Sequence, residues 1–357
     1  MARTCRTFVI GSVLALAAVT AQAAERAPDA VARSTPTTVV RGFISADVPP
    51  ILHIKSGQTV RIDTVSHGGL SDDPVATFGA AGIPAKEVLQ DAIDIAKASQ
   101  TNHWTGHVLT GPIYVDGAEP GDMLEVRILK VDVRVPYGTN SPGPGGVAPG
   151  AVATRTQKVI KFDMARKVAL FSDKIEVPLR PFMGIMAVAP GPDIGKISSR
   201  PPGPYGGNMD FRLLSAGATL YLPVYNNGAL FFTGDSHSVQ GDGEVDGNAI
   251  EASMTPTLQF IVHKGGGKDM HFPWAEDATN YYVLGMDRDL NLAMRSAVEE
   301  TIGFLEKTAG LSSSDAYSLC SIGVNFVIAE AVDLNLVVYG TIPKKLFKTP
   351  PTYWTKG

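Results

Sequence analysis

Glycine and proline interrupt this chain at short intervals, and the apolar runs that lie between them are short. The sequence contains 37 glycines and 25 prolines in 357 residues, and 44% of its residues are hydrophobic. This combination indicates a folded, turn-rich β-protein and excludes a disordered chain. At 59–63 polar and apolar side chains alternate, as in a strand with one buried face. The pattern predicts strands at 39–43, 51–54, 59–65, 108–115, 123–135, 156–162, 174–177, 219–224, 229–233, 257–263 and 281–286.

Three segments space their apolar residues as a helix does. The segment 86–98 is the first, and the second, 289–308, is followed by Gly310, a suitable C-cap. A third helix is predicted to begin in the serine-rich stretch 312–314, which offers N-cap residues, and to run through 319–332. The sequence therefore predicts a mainly β fold with a helical C-terminal portion.

The N-terminus has the features of an export signal. Two arginines precede an apolar run at 8–20, and the Ala-Gln-Ala sequence at 21–23 matches a signal-peptidase site. We predict cleavage after residue 23 and an exported, periplasmic protein. An uncleaved anchor is the alternative, although the run is shorter than the roughly 20 residues of a membrane span. Cys5 would leave with the signal, and Cys320, in an apolar stretch, is predicted to be buried and inert.

Composition divides the remaining chain into segments and limits its partners. The net charge is −4, and no basic run predicts binding to nucleic acid or to an anionic membrane. The predicted segments are a signal peptide at 1–23, a flexible leader at 24–38, an N-terminal β-rich domain at 39–135, a Pro/Gly-rich crossing at 136–150, a central β-rich domain at 151–286 and a helical portion at 287–357.

Acidic residues are densest directly after the predicted strand at 229–233. Five carboxylates and one imidazole would repel strongly if they shared a dry site without a cation. Such mixed oxygen and nitrogen donors are the ligands that divalent metals prefer. The alternative is a solvated acidic hairpin, although the apolar strands on both sides favour a position near the sheet. The candidate residues are Asp235, His237, Asp242, Glu244, Asp246 and Glu251.

Two smaller clusters could converge on the same place. Asn208 and Asp210 follow the glycine pair Gly206-Gly207, where the backbone can approach a ligand closely. His103 and His107 are four residues apart, but the glycine between them argues against one helical face, and a core or surface position is the simpler interpretation of each.

Four segments resemble the acetamidase/formamidase family. They are GPIYVDGAEPGD at 111–122, RPFMGIMAVAP at 180–190, GGNMD at 206–210 and GDSHSVQGDGEVDGNAIE at 234–251. The resemblance implies sandwich- and barrel-like sheets with a helical C-terminal portion, hydrolysis of short amides, a divalent metal such as zinc or calcium, and a homo-oligomer. Ser238, Asn325 and Glu330 depart from the family pattern, in which Ala, Asp and Gln are expected.

Amide hydrolysis requires activated water, stabilisation of the oxyanion and a proton for the departing nitrogen. We predict that the metal ligands are Asp235, His237 and Glu251, with Asp210 as a fourth. Glu244 is the predicted general base and later acid, a role that Asp242 could exchange with it. Asn208 and the backbone at Gly207 are predicted to bind the substrate carbonyl.

Other functions are compatible with the same residues. The enzyme alternative is hydrolysis of a related C–N bond in a lactam or a larger amide. The other class is a non-catalytic metal- or ligand-binding protein of the cell envelope, although a binding protein needs no spare carboxylates beside its ligands.

Overall fold

The structure, a computed structural model, describes residues 27–352. The predicted export signal and its cleavage site lie outside the described residues. The strands are β1 (Ala30–Arg33), β2 (Val39–Arg41), β3 (Phe43–Ile44), β4 (Leu52–Lys55), β5 (Thr59–Asp63), β6 (Val108–Asp116), β7 (Met123–Val133), β8 (Tyr137–Asn140), β9 (Lys158–Asp163), β10 (Val168–Ser172), β11 (Ile175–Pro178), β12 (Phe182–Val188), β13 (Ile197–Ser198), β14 (Gly206–Asn208), β15 (Thr219–Pro223), β16 (Phe231–Val239), β17 (Ile250–Glu251), β18 (Met254–His263), β19 (Trp274–Glu276), β20 (Asn280–Asp287), β21 (Asn325–Glu330) and β22 (Leu336–Pro343). The α-helices are α1 (Pro74–Ala80), α2 (Gln90–Asn102), α3 (Leu290–Ala309) and α4 (Ser313–Gly323).

Within residues 27–352 the strands form two large sheets and one small one. The first sheet has nine strands in the order β1-β5-β18-β7-β15-β19-β20-β22-β21. The second has eleven strands: eight follow one another in the order β11-β10-β9-β8-β17-β16-β12-β14, and β6 joins β16 to β2 and β4. The two sheets share one hydrophobic core, in which Phe231 of β16 packs edge-on against Phe260 of β18 with ring centroids 5.0 Å apart. The predicted mainly β fold with C-terminal helices is confirmed.

The strands that bear the site are buried on both faces. All seven residues of β12 are buried, as are the first eight of β16, and the two strands pair antiparallel. A continuous apolar run such as Phe182–Val188 is typical of such a strand, because neither face meets water. Polar side chains that interrupt β16 are therefore held in a dry, rigid setting.

The C-terminal portion differs from its prediction in one element. The helix α3 begins after Asp289, whose carboxylate accepts the Asn291 and Leu292 N–H groups, and ends at the left-handed Gly310, as predicted. The helix α4 begins after the N-cap Ser312 but ends at Gly323, so the predicted helix through 319–332 is wrong beyond that residue. Residues 325–330 instead form β21, which pairs with β22. The β-branched residues Val327 and Ile328 favour this strand.

Two segments predicted to lack strands contain them. Residues 30–33 of the predicted leader form β1, which pairs parallel with β5. Strand β8 lies inside 136–150, and both large sheets contain strands from before and after that stretch. Cys320 is buried in α4, where burial raises the pKa of its thiol. No helix between residues 27 and 352 has both the length and the apolar character needed to cross a bilayer.

Candidate active site

The second half of β16 carries the side chains at the centre of the candidate site. Asp235 and His237 are two residues apart, and His237 Nε2 lies 3.4 Å from Asp235 Oδ2. The neighbouring strand β17 places Glu251 opposite His237, and Glu251 Oε1 lies 3.2 Å from His237 Nε2. Each of the three side chains is at most 4% exposed. Strand pairing therefore brings together two parts of the acidic segment that are fourteen residues apart in sequence.

Asp210 and Glu244 complete the cluster from two loops. Asp210 Oδ1 lies 3.6 Å from His237 Nδ1, and one ligand atom each of Asp210, His237 and Glu244 lie within 4.8 Å of one another. Gly184 of β12 makes room for Asp210, because a Cβ atom at this glycine would lie 2.3 Å from Asp210 Oδ1. The structure thus brings five predicted residues into one buried cluster.

Three of these acidic residues have a backbone conformation that favours glycine. The φ angles are +41° at Asp210, +50° at Asp235 and +42° at Glu244. A non-glycine residue in this region costs about 1–3 kcal/mol, and such residues persist where the surrounding structure fixes them, often at functional sites. Asp235 departs in this way from regular strand backbone, and Asp210 and Glu244 adopt the same conformation in loops.

Burial and mutual charge shift the proton affinities in the cluster. Burial opposes ionisation of Asp235, but the imidazoles of His107 and His237 outweigh it and hold the pKa of Asp235 well below its usual value. Burial also opposes charge on His237, but Glu251 and Asp235 raise its pKa well above the usual value. Burial and then Glu244 raise the pKa of Asp210 well above the ordinary aspartate value, and burial likewise raises that of Glu244.

Two histidines that the sequence did not assign to the site lie beside Asp235. His67 Nδ1 is 3.0 Å from Asp235 Oδ1, and the His67 and His107 rings meet edge to face with centroids 4.9 Å apart. Ligand atoms of His67, His107 and Asp235 lie within 4.8 Å of one another. His107 Nδ1 is also 2.9 Å from Ser199 Oγ. His103 instead ends α2 in a left-handed C-cap.

The two carboxylates proposed to exchange the role of base occupy different surroundings. Glu244 lies in the buried cluster, whereas Asp242 pairs with Arg212, whose Nη2 is 2.5 Å from Asp242 Oδ2. Tyr339 also donates a hydrogen bond to Asp242 Oδ1 at 3.3 Å. Asp242 belongs to none of the metal-compatible groups found among residues 27–352. Of the two, only Glu244 lies in the buried cluster.

Asn208 and Gly207 lie on the edge strand β14, next to β12. Gly207 pairs with Met186 and has a φ of +94°. Asn208 is buried, its Nδ2 donates to Asp333 Oδ2 at 2.8 Å, and its Oδ1 has no hydrogen-bond partner among the described residues. The side-chain amide is therefore fixed in orientation with its acceptor atom free.

Comparison with known proteins places this arrangement in a family. The sequence profile of the Acetamidase/Formamidase family matches residues 39–200 and 193–349, which is most of the chain. The chain belongs to the acetamidase/formamidase family. The family expected from the four sequence segments is thus confirmed.

Individual relatives within the acetamidase/formamidase family are distant in sequence. A formamidase-type protein of Schizosaccharomyces pombe is 27% identical over 283 residues, which cover 63% of this chain and 64% of the relative. A formamidase of Methylophilus methylotrophus is 25% identical over 315 residues, covering 68% and 77%. The crystal structure of an acetamidase from Bacillus halodurans superposes with a TM-score of 0.73 at 28% identity, covering 88% of this chain and 98% of that one.

The C-terminal hairpin adds acidic residues to the site of this acetamidase/formamidase family member. Gly243 bonds to the backbone of Ala329 and Ala331, which ties the Glu244 loop to the end of β21. Glu330 is fully buried, and one of its oxygens accepts the N–H groups of Val332 and Asp333 at 2.7 and 2.9 Å. Burial, and then Asp333, raise the pKa of Glu330 to about 8. The sequence prediction missed this contribution because it placed the segment in a helix.

The donor set fits a divalent cation. Two carboxylate oxygens, Asp210 Oδ1 and Glu251 Oε2, are buried without a hydrogen-bond partner among the described residues, although buried polar atoms are normally paired. Gln240 Oε1 accepts a hydrogen bond from His237 Nδ1 at 2.9 Å, and Gln240 Nε2 donates to the Asp210 carbonyl at 2.8 Å, as residues that orient metal ligands do. Two groups have buried ligand atoms that converge within 4.8 Å: Asp235, His237 and Glu251, and Asp210, His237 and Glu244.

Proposed function

We propose that this protein hydrolyses a short-chain amide to a carboxylate and ammonia, with a divalent metal, zinc or calcium, in the buried cluster. The observation that carries the proposal is the convergence of Asp210, Asp235, His237, Glu244 and Glu251, with unpaired oxygens, in one dry site. The formamidase and acetamidase names of its relatives support the same chemistry.

Asp235, His237 and Glu251 would hold the cation, and Asp210 is a further candidate. A bound divalent cation supplies Lewis acidity, which polarises a carbonyl and lowers the pKa of water. Gln240 keeps the His237 ring in place through Nδ1, so that Nε2 faces Asp235 and Glu251. The His237 ring is thereby oriented before a substrate arrives.

Glu244 is the group that moves the proton. Its carboxyl lies beside Asp210 and His237 but is not required by the Asp235, His237 and Glu251 group. It can therefore accept a proton from the attacking water and deliver it to the departing nitrogen. Asp242 is less suited to this role because Arg212 and Tyr339 engage its two oxygens.

Asn208 would bind the amide nitrogen of the substrate. Its Nδ2 is engaged by Asp333, so the free Oδ1 can accept a hydrogen bond from a substrate N–H. This differs from the expectation that Asn208 donates to the carbonyl. A primary amide has two N–H donors, which matches an acceptor at this position.

The test compares Glu244→Gln with Asp242→Asn, the matched change two residues earlier in the same loop. We measure ammonia release from formamide and acetamide, and formation of the ring-opened amino acid from a lactam panel, with and without a chelator, together with bound metal. Loss of the proton-transfer group should lower turnover by Glu244→Gln about 10²- to 10⁴-fold, with metal content retained. Asp242→Asn should remain within about tenfold of the unchanged protein.

Two results would overturn the proposal. Equal activity of Glu244→Gln and the unchanged chain would remove Glu244 from the proton-transfer role. No ammonia from any amide, despite bound metal, would favour a non-catalytic metal- or ligand-binding protein.

A further inference from the structure

A cleft of about 500 Å³ opens beside the buried cluster. Its walls are strand β9, the β10–β11 hairpin and the segment 239–250. Sites of a few hundred to about 1,000 Å³ accommodate ligands of drug size, whereas formamide and acetamide have only three and four non-hydrogen atoms. The cleft is therefore much larger than the smallest amides require.

Two residues connect this cleft to the catalytic cluster. Gln240 and Glu244 both line the cleft. Gln240 Oε1 is 2.9 Å from His237 Nδ1, and Glu244 lies within the Asp210 and His237 group. A substrate whose amide reaches Glu244 would therefore extend its remaining atoms along the cleft.

The cleft wall is apolar and partly exposed. Ile160, Phe171, Val177, Val239 and Ile250 line it. Phe171 is 37% exposed at the rim, where the Lys158 ammonium lies 3.7 Å from its ring centroid. Exposed apolar side chains beside a catalytic group are typical of a site that covers them with an apolar ligand.

The charges of the cleft limit the ligand further. Asp242, Glu244 and Asp246 line the same cleft. Carboxylates repel a substrate that carries its own carboxylate, particularly in a site of low dielectric constant. The occupant should therefore carry no carboxylate, and the apolar wall residues favour an apolar group.

We propose that this cleft binds an aryl or branched-alkyl group attached to the substrate amide, so that larger neutral amides are hydrolysed faster than formamide and acetamide, which remain substrates. This inference rests on the proposed amide hydrolysis at Glu244. The apolar group can be on the acyl side or on the nitrogen, and the experiment separates the two.

The experiment measures kcat/KM of the full chain with its metal for phenylacetamide, N-benzylacetamide, succinamate and acetamide. Ammonia or benzylamine release is followed. At least one of the two aromatic amides should exceed acetamide by tenfold or more, and which one it is shows the side on which the ring binds. Succinamate, an anionic amide, should be the poorest of the four.

Phe171→Ala and Leu170→Ala form a matched pair of variants. Both residues are on β10 with similar exposure, 37% and 40%, but only Phe171 lines the cleft. Loss of the aromatic contact should lower the ratio of aromatic-amide to acetamide kcat/KM by about tenfold in Phe171→Ala. Leu170→Ala should leave that ratio unchanged.

A binding measurement keeps this test separate from the test of amide hydrolysis. Calorimetric titration with phenylacetamide and N-benzylacetamide should show binding that Phe171→Ala weakens and Leu170→Ala does not. If no amide is hydrolysed but this binding persists, the hydrolysis proposal fails and the ligand class of the cleft stands. Aromatic amides that neither bind nor react better than acetamide would overturn the inference. So would a change of oligomeric state in Phe171→Ala with unaltered ligand binding, because the face would then be an interface between copies.

Discussion

The acidic residues of this protein are neutralised in two different ways in two regions. On the surface they meet arginines: Arg166 binds Glu176 through two nitrogens at 2.8 and 2.9 Å, and Arg295 lies 2.9 Å from Glu299 on α3. In the buried cluster, Asp210, Asp235, Glu244 and Glu251 have no Lys or Arg partner among residues 27–352. Their nearest charged partners are imidazoles, and some of their carboxylate oxygens have no hydrogen-bond partner among the described residues.

This difference shows which region is arranged for a ligand. Exposed charged residues keep their hydration, so that pairing them contributes little to the free energy of unfolding. Buried carboxylates lose their hydration and repel one another, so keeping several together requires positive charge or the protonation of some of them. The chain itself supplies only histidines there, and the proposed cation would complete the arrangement. The buried region is thus less stable than it would be if every carboxylate were paired. A ligand that supplies the missing positive charge would stabilise it.

Removal of His237 should have the largest effect of the variants that test the difference between the two regions. His237 is shared by two of the metal-compatible groups, so His237→Ala should lose bound metal. Loss of Lewis-acid assistance forfeits several kcal/mol, and each 1.4 kcal/mol is about tenfold in rate, so amide turnover should fall by roughly 10³-fold or more. Metal content is measured by elemental analysis and turnover by ammonia release.

His271→Ala is the matched control for that variant. His271 is exposed and pairs with Glu300 on the surface, so its removal should leave both metal content and turnover unchanged. Treating the unchanged protein with a chelator should reproduce the loss seen in His237→Ala, even if the variant folds poorly. Full metal occupancy in a folded His237→Ala protein would contradict the assignment of this ligand.

Much of the fold could be predicted because periodicity is a local property. The alternation at 59–63 belongs to β5, and Asp289 and Gly310 bound α3 as capping residues do. The apolar run at 182–188 was not predicted to be a strand, although it forms β12. The acidic segment 235–251 was also recognisable, since its residues are close in sequence. In each of these segments, the residues that indicate the structure or the site are close together in the sequence.

The remaining site residues depend on long-range pairing that no local pattern reveals. His67 follows β5 and has no other candidate ligand near it in sequence, so only the placement of β5 and β16 brings it to Asp235. Asp333 reaches Asn208 because 325–330 is a strand and not a helix. The apolar stretch 319–332 suits either structure, and the pairing of β21 with β22 decides between them. The glycines of Ser66-His67-Gly68-Gly69 were the one available signal for a close approach.

A smaller effect, on the pH dependence of stability, is expected from Glu330. This residue is a buried acid that lies outside the metal-compatible groups. Its folded pKa of about 8 lies above the unfolded value of 4.5, so the folded state prefers the protonated form. Stability is therefore fully present below about pH 4.5 and is lost as pH rises towards 8. With about 1.4 kcal/mol per pKa unit, the loss is at most roughly 5 kcal/mol.

Glu330→Gln should remove this pH dependence while keeping an oxygen for the Val332 and Asp333 N–H groups. Glutamine is also the residue expected from the family pattern. Urea unfolding at pH 5 and pH 8, at a fixed metal concentration, should show the variant more stable than the unchanged chain only at pH 8. Glu330→Ala, which leaves two buried N–H groups without an acceptor, should be less stable at both pH values. Equal pH slopes for Glu330→Gln and the unchanged chain would mean that Glu330 is ionised in the folded state.

The smallest effect is expected from a surface pair. Arg295 and Glu299 are one helical turn apart on α3, with side chains 73% and 61% exposed. Arg295→Met keeps the helix propensity and removes only the charge, so the free energy of unfolding should fall by about 0.3–0.5 kcal/mol. Thermal unfolding at low and high salt measures this, and the difference should disappear in high salt because ions screen exposed charges. Turnover and metal content should not change. A loss larger than that of Glu330→Ala would mean that exposed pairs, and not the buried region, set the stability of this protein, and the contrast between the two regions would fail.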